Sequence, residues 1–143
     1  MNQLNVDIIT AARSFIGTPW KHQGRTRNGI DCVGLIICVA RETGRVSDEK
    51  LASIDYAYPR RPDGSLMIKL FANAGCAEVA YGVKQDGDIL VFAEHAFPCH
   101  VGFLDNEHII HAYTKGARKV IKEPLVNRIK DLVTIFRLPE VKL

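Results

Sequence analysis

The chain has 143 residues, of which 47% are hydrophobic and 24% charged, and its mean hydropathy is −0.01. These values are typical of a soluble globular domain and exclude a disordered, collagen-like or coiled-coil chain. Nineteen basic residues against sixteen acidic ones give a net charge of only +3. Because the basic residues are also dispersed, the sequence argues against nucleic-acid binding.

The sequence shows no sign of membrane insertion or export. Its longest apolar run, residues 33–40, is about half the length that a membrane-spanning helix needs. The first five residues lack the basic and apolar character of a signal peptide. We therefore expect no membrane span, no secretion signal and synthesis in the cytoplasm. No repeat or linker divides the sequence, so residues 1–143 are predicted to form a single domain.

The first half of the chain is predicted to be helical. Four segments carry apolar residues at helical spacing: residues 6–16, 32–43, 47–54 and 66–74. Asn5 is the expected N-cap of the first helix and Gly17 its stop. Asp31 is the expected N-cap of the second helix, which is apolar almost all round, and Gly44 ends it. A polar, glycine-containing loop over residues 18–30 separates these two helices.

After Gly75 the period of the apolar residues changes from 3.6 to 2, which indicates strands. Turn residues such as Asp86-Gly87 and Asp105-Asn106 separate the segments. Six strands are predicted, over residues 77–81, 88–93, 100–104, 107–113, 118–122 and 131–138. Helices followed by a strand meander predict an α+β fold, with N-terminal helices on one face of a mainly antiparallel sheet of five or six strands.

Four cysteines occur in the chain: Cys32, Cys38, Cys76 and Cys99. None forms a C-x-x-C pair, which argues against a structural zinc site. Without an export signal a disulfide framework is not expected either, so free thiols are predicted. No metal or cofactor site is predicted.

Cys32 occupies the first turn of the second helix, next to unpaired backbone N–H groups and the positive end of the helix dipole. Both features would lower the pKa of its thiol and favour a nucleophilic thiolate. The alternative is that Cys32 is a small buried hydrophobic residue. Cys38 lies further along the same helix, away from its start, and is predicted to be a core residue.

A cysteine nucleophile needs a base, which is usually histidine. If Asp105-Asn106 forms the two-residue turn of a hairpin, His100 lies directly opposite His111 on one face of the sheet. His111 would then accept a hydrogen bond from Nδ1–H of His100 and leave Nε2 of His100 free to take a proton. His108 falls on the other face. The alternative is that the two histidines form an ordinary surface pair.

Four segments, in order, resemble the motifs of the NlpC-type cell-wall cysteine peptidases. The segments are Gly17-Thr18-Pro19-Trp20, Gly29-Ile30-Asp31-Cys32-Val33-Gly34-Leu35-Ile36, Asp86-Gly87-Asp88-Ile89-Leu90-Val91-Phe92, and His100-Val101-Gly102-Phe103-Leu104 with Ile110-His111-Ala112. The resemblance implies a compact papain-like fold. It implies Cys32 as nucleophile, His100 as base and His111 as the residue that orients His100.

The same resemblance implies hydrolysis of peptide bonds in bacterial peptidoglycan stem peptides, including D-γ-glutamyl–diamino acid bonds, through a thioester. Trp20, Asp31 and Val33 are assigned to the oxyanion and substrate-binding region. Trp20 stands where the family has Tyr, and Val33 where it has Ser. The span from Cys32 to His100 is longer than usual in the family, which we assign to an insertion around residues 47–75.

Residues 20–24, Trp-Lys-His-Gln-Gly, are more similar to the bacteriophage-tail and gene-transfer-agent subgroup than to the secreted enzymes of the family. This similarity implies tail proteins as partners and a virion tail as location. Two alternatives remain open from the sequence. One is a tail assembly or interaction module whose site is weak or inactive, and the other is acyl transfer to an amine by the same residues.

Overall fold

The computed structural model describes residues 5–54, 64–94, 97–113 and 116–141. The first four residues and part of the expected insertion therefore lie outside the described set. Within it, four helices and eight strands follow one another: α1 Val6–Ser14, β1 Arg25–Thr26, β2 Gly29–Ile30, α2 Cys32–Glu42, α3 Asp48–Ile54, α4 Gly64–Asn73, β3 Ala77–Val79, β4 Ile89–Glu94, β5 Phe97–Asp105, β6 His108–Tyr113, β7 Lys119–Pro124 and β8 Leu132–Arg137.

Every described pairing in the main sheet is antiparallel, and the strand order is β3-β8-β4-β5-β6-β7. The predicted α+β fold, with helices packed on a mainly antiparallel sheet, is confirmed. The small β1–β2 hairpin was not predicted, since two-residue strands carry no periodicity. No described helix is long and apolar enough to cross a membrane.

Buried side chains form two clusters, one on each face of the sheet. The larger joins α1, α2 and α4 to the sheet and includes Leu35, Val39, Val101 and Ile110. The smaller cluster contains the residues that alternate with these along the same strands, among them Leu90, Leu104 and Ile109. It also contains Leu125, from a 3-10 turn after β7. Successive side chains of a strand point to opposite faces, so this division follows from the period of 2.

The predicted ends of α2 are confirmed, and Asn5 is the N-cap residue of α1 as predicted, but without a capping hydrogen bond. Asp31 Oδ1 accepts a hydrogen bond from the N–H of Gly34 at 2.7 Å, and Gly44 has a φ of +67°. Asn5 precedes α1 but makes no side-chain cap. Its amide instead donates to Gln85 Oε1 at 3.3 Å, because tertiary packing offers a partner that the local sequence does not reveal.

The β5–β6 turn differs from the predicted one. Its two loop residues are Asn106 and Glu107, with φ of 49° and 59°, and Asp105 pairs with His108. Positive φ at both central residues is the geometry of a type I′ turn, which suits the twist of a hairpin. The predicted register, in which His100 faces His111 directly, is therefore wrong by two residues. A shift of two keeps every side chain on its predicted face.

The loop before Cys32 is attached to the outer edge of the sheet. The N–H of Gly17 donates to the carbonyl of Val120 at 2.9 Å, and the N–H of Trp20 donates to that of Arg118 at 2.8 Å. In return, the N–H of Val120 donates to Thr18 O at 2.9 Å. These bonds cover the edge of β7 and place the loop beside the strands that carry the histidines.

Gly102 lies in β5 where any side chain would collide with β6. A Cβ built there would come within 2.7 Å of Ile109 Cγ2, 2.8 Å of Ile110 O and 2.9 Å of His111 Cβ. Gly102→Ala should therefore lower the free energy of unfolding by about 1–3 kcal/mol, the usual cost of overpacking. Chemical denaturation would measure it. Gly82→Ala is the matched control, since nothing lies within 4 Å of its Cβ position; equal losses would contradict the prediction.

Candidate active site

Cys32 is the first residue of α2, a helix that packs against β5 and β6. Its side chain is half-buried and contacts the larger core cluster, and its thiol is not part of a disulfide. The backbone N–H groups of the first helical turn lie next to this position. They have no carbonyl partner within the helix and so can donate to another group. The sequence-predicted placement of Cys32 at a helix start is therefore observed.

Asp31 holds the start of α2 in place. Its buried carboxylate accepts hydrogen bonds from the backbone N–H groups of Gly34 and Gln23, both at 2.7 Å, and Arg25 Nη1 lies 3.3 Å from Oδ1. Since both carboxylate oxygens are engaged in this way, the Asp31 side chain has a structural role. Its predicted part in substrate binding stays a prediction.

The other predicted binding residues occupy different environments. Val33 is buried in the core, with 6% of its surface exposed, and its part in substrate binding stays a prediction. Trp20 is half-buried against the same core cluster, and its backbone bridges to Ile30. Trp20 thus lies beside the strand that leads into Cys32, which leaves its predicted role in substrate binding open to test.

The structure brings His100 and His111 together. Nε2 of His100 lies 2.6 Å from Nδ1 of His111, and the two rings meet edge to face with centroids 4.9 Å apart. The predicted contact is therefore present, although the participating atom of His100 is Nε2 and not Nδ1. This difference accompanies the difference in register. His111 is a diagonal neighbour of His100, so the two rings do not meet at the angle expected for a directly opposed pair.

His111 is completely buried and electrically neutral. Desolvation by burial lowers its pKa to about 3, and the positive charge of Arg128 acts in the same direction. Nε2 of His111 lies 2.9 Å from Glu123 Oε1, off the direction of an ideal hydrogen bond. Glu123 Oε1 in turn accepts from Arg128 Nε. Neither Glu123 nor Arg128 was singled out from the sequence.

The remaining candidate side chains behave as expected of structural residues. Cys38 is buried and donates its S–H to the carbonyl of Arg25 at 3.1 Å, and burial raises the pKa of its thiol. Burial also raises the pKa of the Cys76 thiol, to about 12. His108 lies on the other face from His111, where Nδ1 contacts Asn106 O at 2.9 Å.

The α+β fold resembles that of a peptidoglycan hydrolase domain. Residues 17–132 match the model of the NlpC/P60 family, so this chain belongs to that family, whose members are generally cysteine peptidases and peptidoglycan hydrolases. Among proteins with curated descriptions, none matches the sequence significantly.

Solved structures share the fold at low sequence identity. The NlpC/p60 domain of the peptidoglycan hydrolase SagA is 19% identical with a TM-score of 0.64, and the match covers 96% of this chain and 100% of that one. An NlpC/P60 family protein from Bacillus cereus is 21% identical with a TM-score of 0.67, over 95% of this chain but only 40% of the other.

A third similar structure is RipD from Mycobacterium tuberculosis, described as a non-catalytic NlpC/p60 domain protein adapted to peptidoglycan binding. It is 16% identical with a TM-score of 0.59, over 96% of this chain and 98% of that one. The fold alone therefore serves both catalytic and non-catalytic proteins.

The low pKa of His111 predicts a pH dependence of stability. In an unfolded chain this residue titrates near 6.5, against about 3 in the folded protein. Between these two pH values the unfolded state binds more protons than the folded state. The contribution of His111 to the free energy of unfolding is therefore complete above about pH 6.5, and it falls by about 1.4 kcal/mol for each pH unit below that. The wild type should lose stability faster than His111→Gln between about pH 6.5 and 4 in urea denaturation. A constant difference between the two proteins would contradict the assignment.

Proposed function

We propose that this chain is a cysteine amidohydrolase that cleaves peptide bonds of peptidoglycan stem peptides, including D-γ-glutamyl–diamino acid bonds. Cys32 is the nucleophile, His100 the base and His111 the residue that orients His100. The observation that carries the proposal is the 2.6 Å contact between buried His100 and His111 on the strands against which the Cys32 helix packs. Membership of the family supports the substrate class.

In the acylation step, the thiolate of Cys32 attacks the carbonyl carbon of the peptide bond. The C–N bond then breaks, and His100 protonates the leaving amine. Backbone N–H groups at the start of α2 stabilise the oxyanion, an interaction worth about 3 kcal/mol per donor. The product is a thioester between Cys32 and the acyl half of the peptide.

In the deacylation step, His100 removes a proton from water, which attacks the thioester and releases a carboxylate and the Cys32 thiol. Because Nε2 of His100 contacts His111, the atom of His100 that exchanges protons with Cys32 and water is Nδ1. An amine in place of water would give acyl transfer with the same residues, and product analysis separates the two reactions.

Cys32→Ala should abolish the release of new amino groups from purified peptidoglycan, because no other group replaces the nucleophile. Cys76→Ala is the matched control, since Cys76 is also half-buried and also outside any disulfide, and it should retain activity. Mass spectrometry of the fragments would identify the bond that is cut. Equal release by the wild type and Cys32→Ala would contradict the proposal.

His111→Ala should lower kcat by roughly 10- to 1000-fold, because general-base assistance contributes about 10²–10⁴ and misorientation of His100 forfeits part of it. His108→Ala, on the other face of the sheet, should change kcat little. Steady-state kinetics on a stem-peptide substrate would measure both variants, with circular dichroism as a check of folding. If the two substitutions exchanged their effects, the orienting residue would be misassigned.

A second candidate function is a non-catalytic module that binds peptidoglycan or tail proteins. The similarity to RipD supports it, as do Trp20 and Val33 in place of the family's Tyr and Ser. Iodoacetamide distinguishes the candidates: an activated Cys32 thiolate reacts below pH 7, where the raised pKa values of Cys38 and Cys76 keep those thiols protonated. Labelling that Cys32→Ala does not reduce favours the binding module.

A location in a bacteriophage tail, after synthesis in the cytoplasm, is also proposed. Its only support is the similarity of residues 20–24 to the phage-tail subgroup. The descriptions of the Bacillus and Mycobacterium proteins reported above mention no phage tail. Tail proteins as partners are therefore a narrower proposal than the hydrolase function, and the hydrolase function does not depend on them.

A further inference from the structure

The contact between the two histidines is part of a longer chain of polar groups. From His111 it continues through Nε2 to Glu123 Oε1, at 2.9 Å, and from the same oxygen to Arg128 Nε. The guanidinium of Arg128 also lies over the ring of Tyr113, 4.4 Å from its centroid. These residues come from β6, β7 and the segment after β7, and the mechanism above does not use Glu123, Arg128 or Tyr113.

The carboxylate of Glu123 determines where the proton of His111 lies. Nε2 of His111 is buried, and a carboxylate oxygen lies 2.9 Å away, although off the ideal hydrogen-bond direction. The negative charge of that oxygen favours an N–H over a lone pair at Nε2. An ionised carboxylate can only accept hydrogen bonds, and Arg128 Nε donates one to this same oxygen of Glu123. The stable arrangement therefore has the proton of the neutral His111 ring on Nε2.

The position of that proton has a consequence for His100. With its single proton on Nε2, neutral His111 presents a lone pair at Nδ1. The 2.6 Å contact is then a hydrogen bond in which Nε2–H of His100 donates to Nδ1 of His111. Neutral His100 is left with its lone pair on Nδ1, which is the form that a general base requires.

We propose that Glu123, held by Arg128, is a positioning residue that selects the Nε2–H tautomer of His111 and thereby makes Nδ1 of His100 the base. The role of His100 as a base rests on the proposed function, whereas the tautomer of His111 does not. The competing explanation is structural: Glu123 would only tie β7 to Arg128 and leave the imidazole protons unaffected.

The test combines NMR of the imidazole nitrogens with kinetics. In the ¹⁵N-labelled wild type near pH 7, His111 should show a pyrrole-like Nε2 and a pyridine-like Nδ1. Glu123→Gln keeps an acceptor oxygen and should retain this pattern, with a loss in kcat of less than about tenfold. Glu123→Ala should give a mixture of tautomers and lower kcat by about 10- to 100-fold, as loss of the partner of a metal-bound histidine does, with KM little changed.

Glu42→Ala is the matched control, because Glu42 also pairs with an arginine, Arg27, at 2.8 Å. It lies at the far end of α2, about 15 Å along the helix from Cys32. It should alter neither the His111 tautomer nor kcat. If Glu123→Ala does not fold, the wild type and Glu123→Gln still decide the matter.

A wild-type His111 protonated on Nδ1 would overturn the proposal. An unchanged tautomer and unchanged kcat in folded Glu123→Ala would overturn it as well. If the wild type does not cleave peptidoglycan, the proposed function fails, but the NMR spectra still report the tautomer. The two failures are thus distinguishable.

Discussion

The carboxylate of Asp31 is the interaction on which the arrangement of the site depends. It accepts hydrogen bonds from N–H groups on both sides of Cys32 in the chain, those of Gln23 and Gly34, and it lies next to Arg25 in β1. A buried carboxylate is stable only when its oxygens are satisfied in this way. The same group therefore closes the loop over residues 23–31 and starts the helix at the residue proposed as nucleophile.

The electrostatics of the histidine pair follow from burial. A buried imidazole avoids charge, and in His111 the neighbouring Arg128 reinforces this effect. A neutral orienting residue stabilises a charged His100 less than a carboxylate in direct contact would. The Glu123–Arg128 pair places a carboxylate one residue further away, where its charge acts on Nε2 of His111 and is balanced by the guanidinium.

In this family, proteins with the same fold differ in whether they are catalytic. This chain matches the family model over residues 17–132, and its fold resembles both a peptidoglycan hydrolase domain and a domain described as non-catalytic. The distinction between such proteins lies in the chemistry of a few side chains. For this reason the reactivity of the Cys32 thiol and the protonation of His100 and His111 are more informative than overall similarity.

The sequence by itself determined the α+β class, the start of α2 at Cys32, and the shared face of His100 and His111, because these depend on local capping and on periods of 3.6 and 2. It did not determine the turn at Asn106-Glu107, the atom through which His100 meets His111, or the approach of Glu123 and Arg128. Tertiary structure decided these features. Strand register and ring orientation depend on how separate segments pack, and a shift of two residues leaves the hydrophobic pattern unchanged.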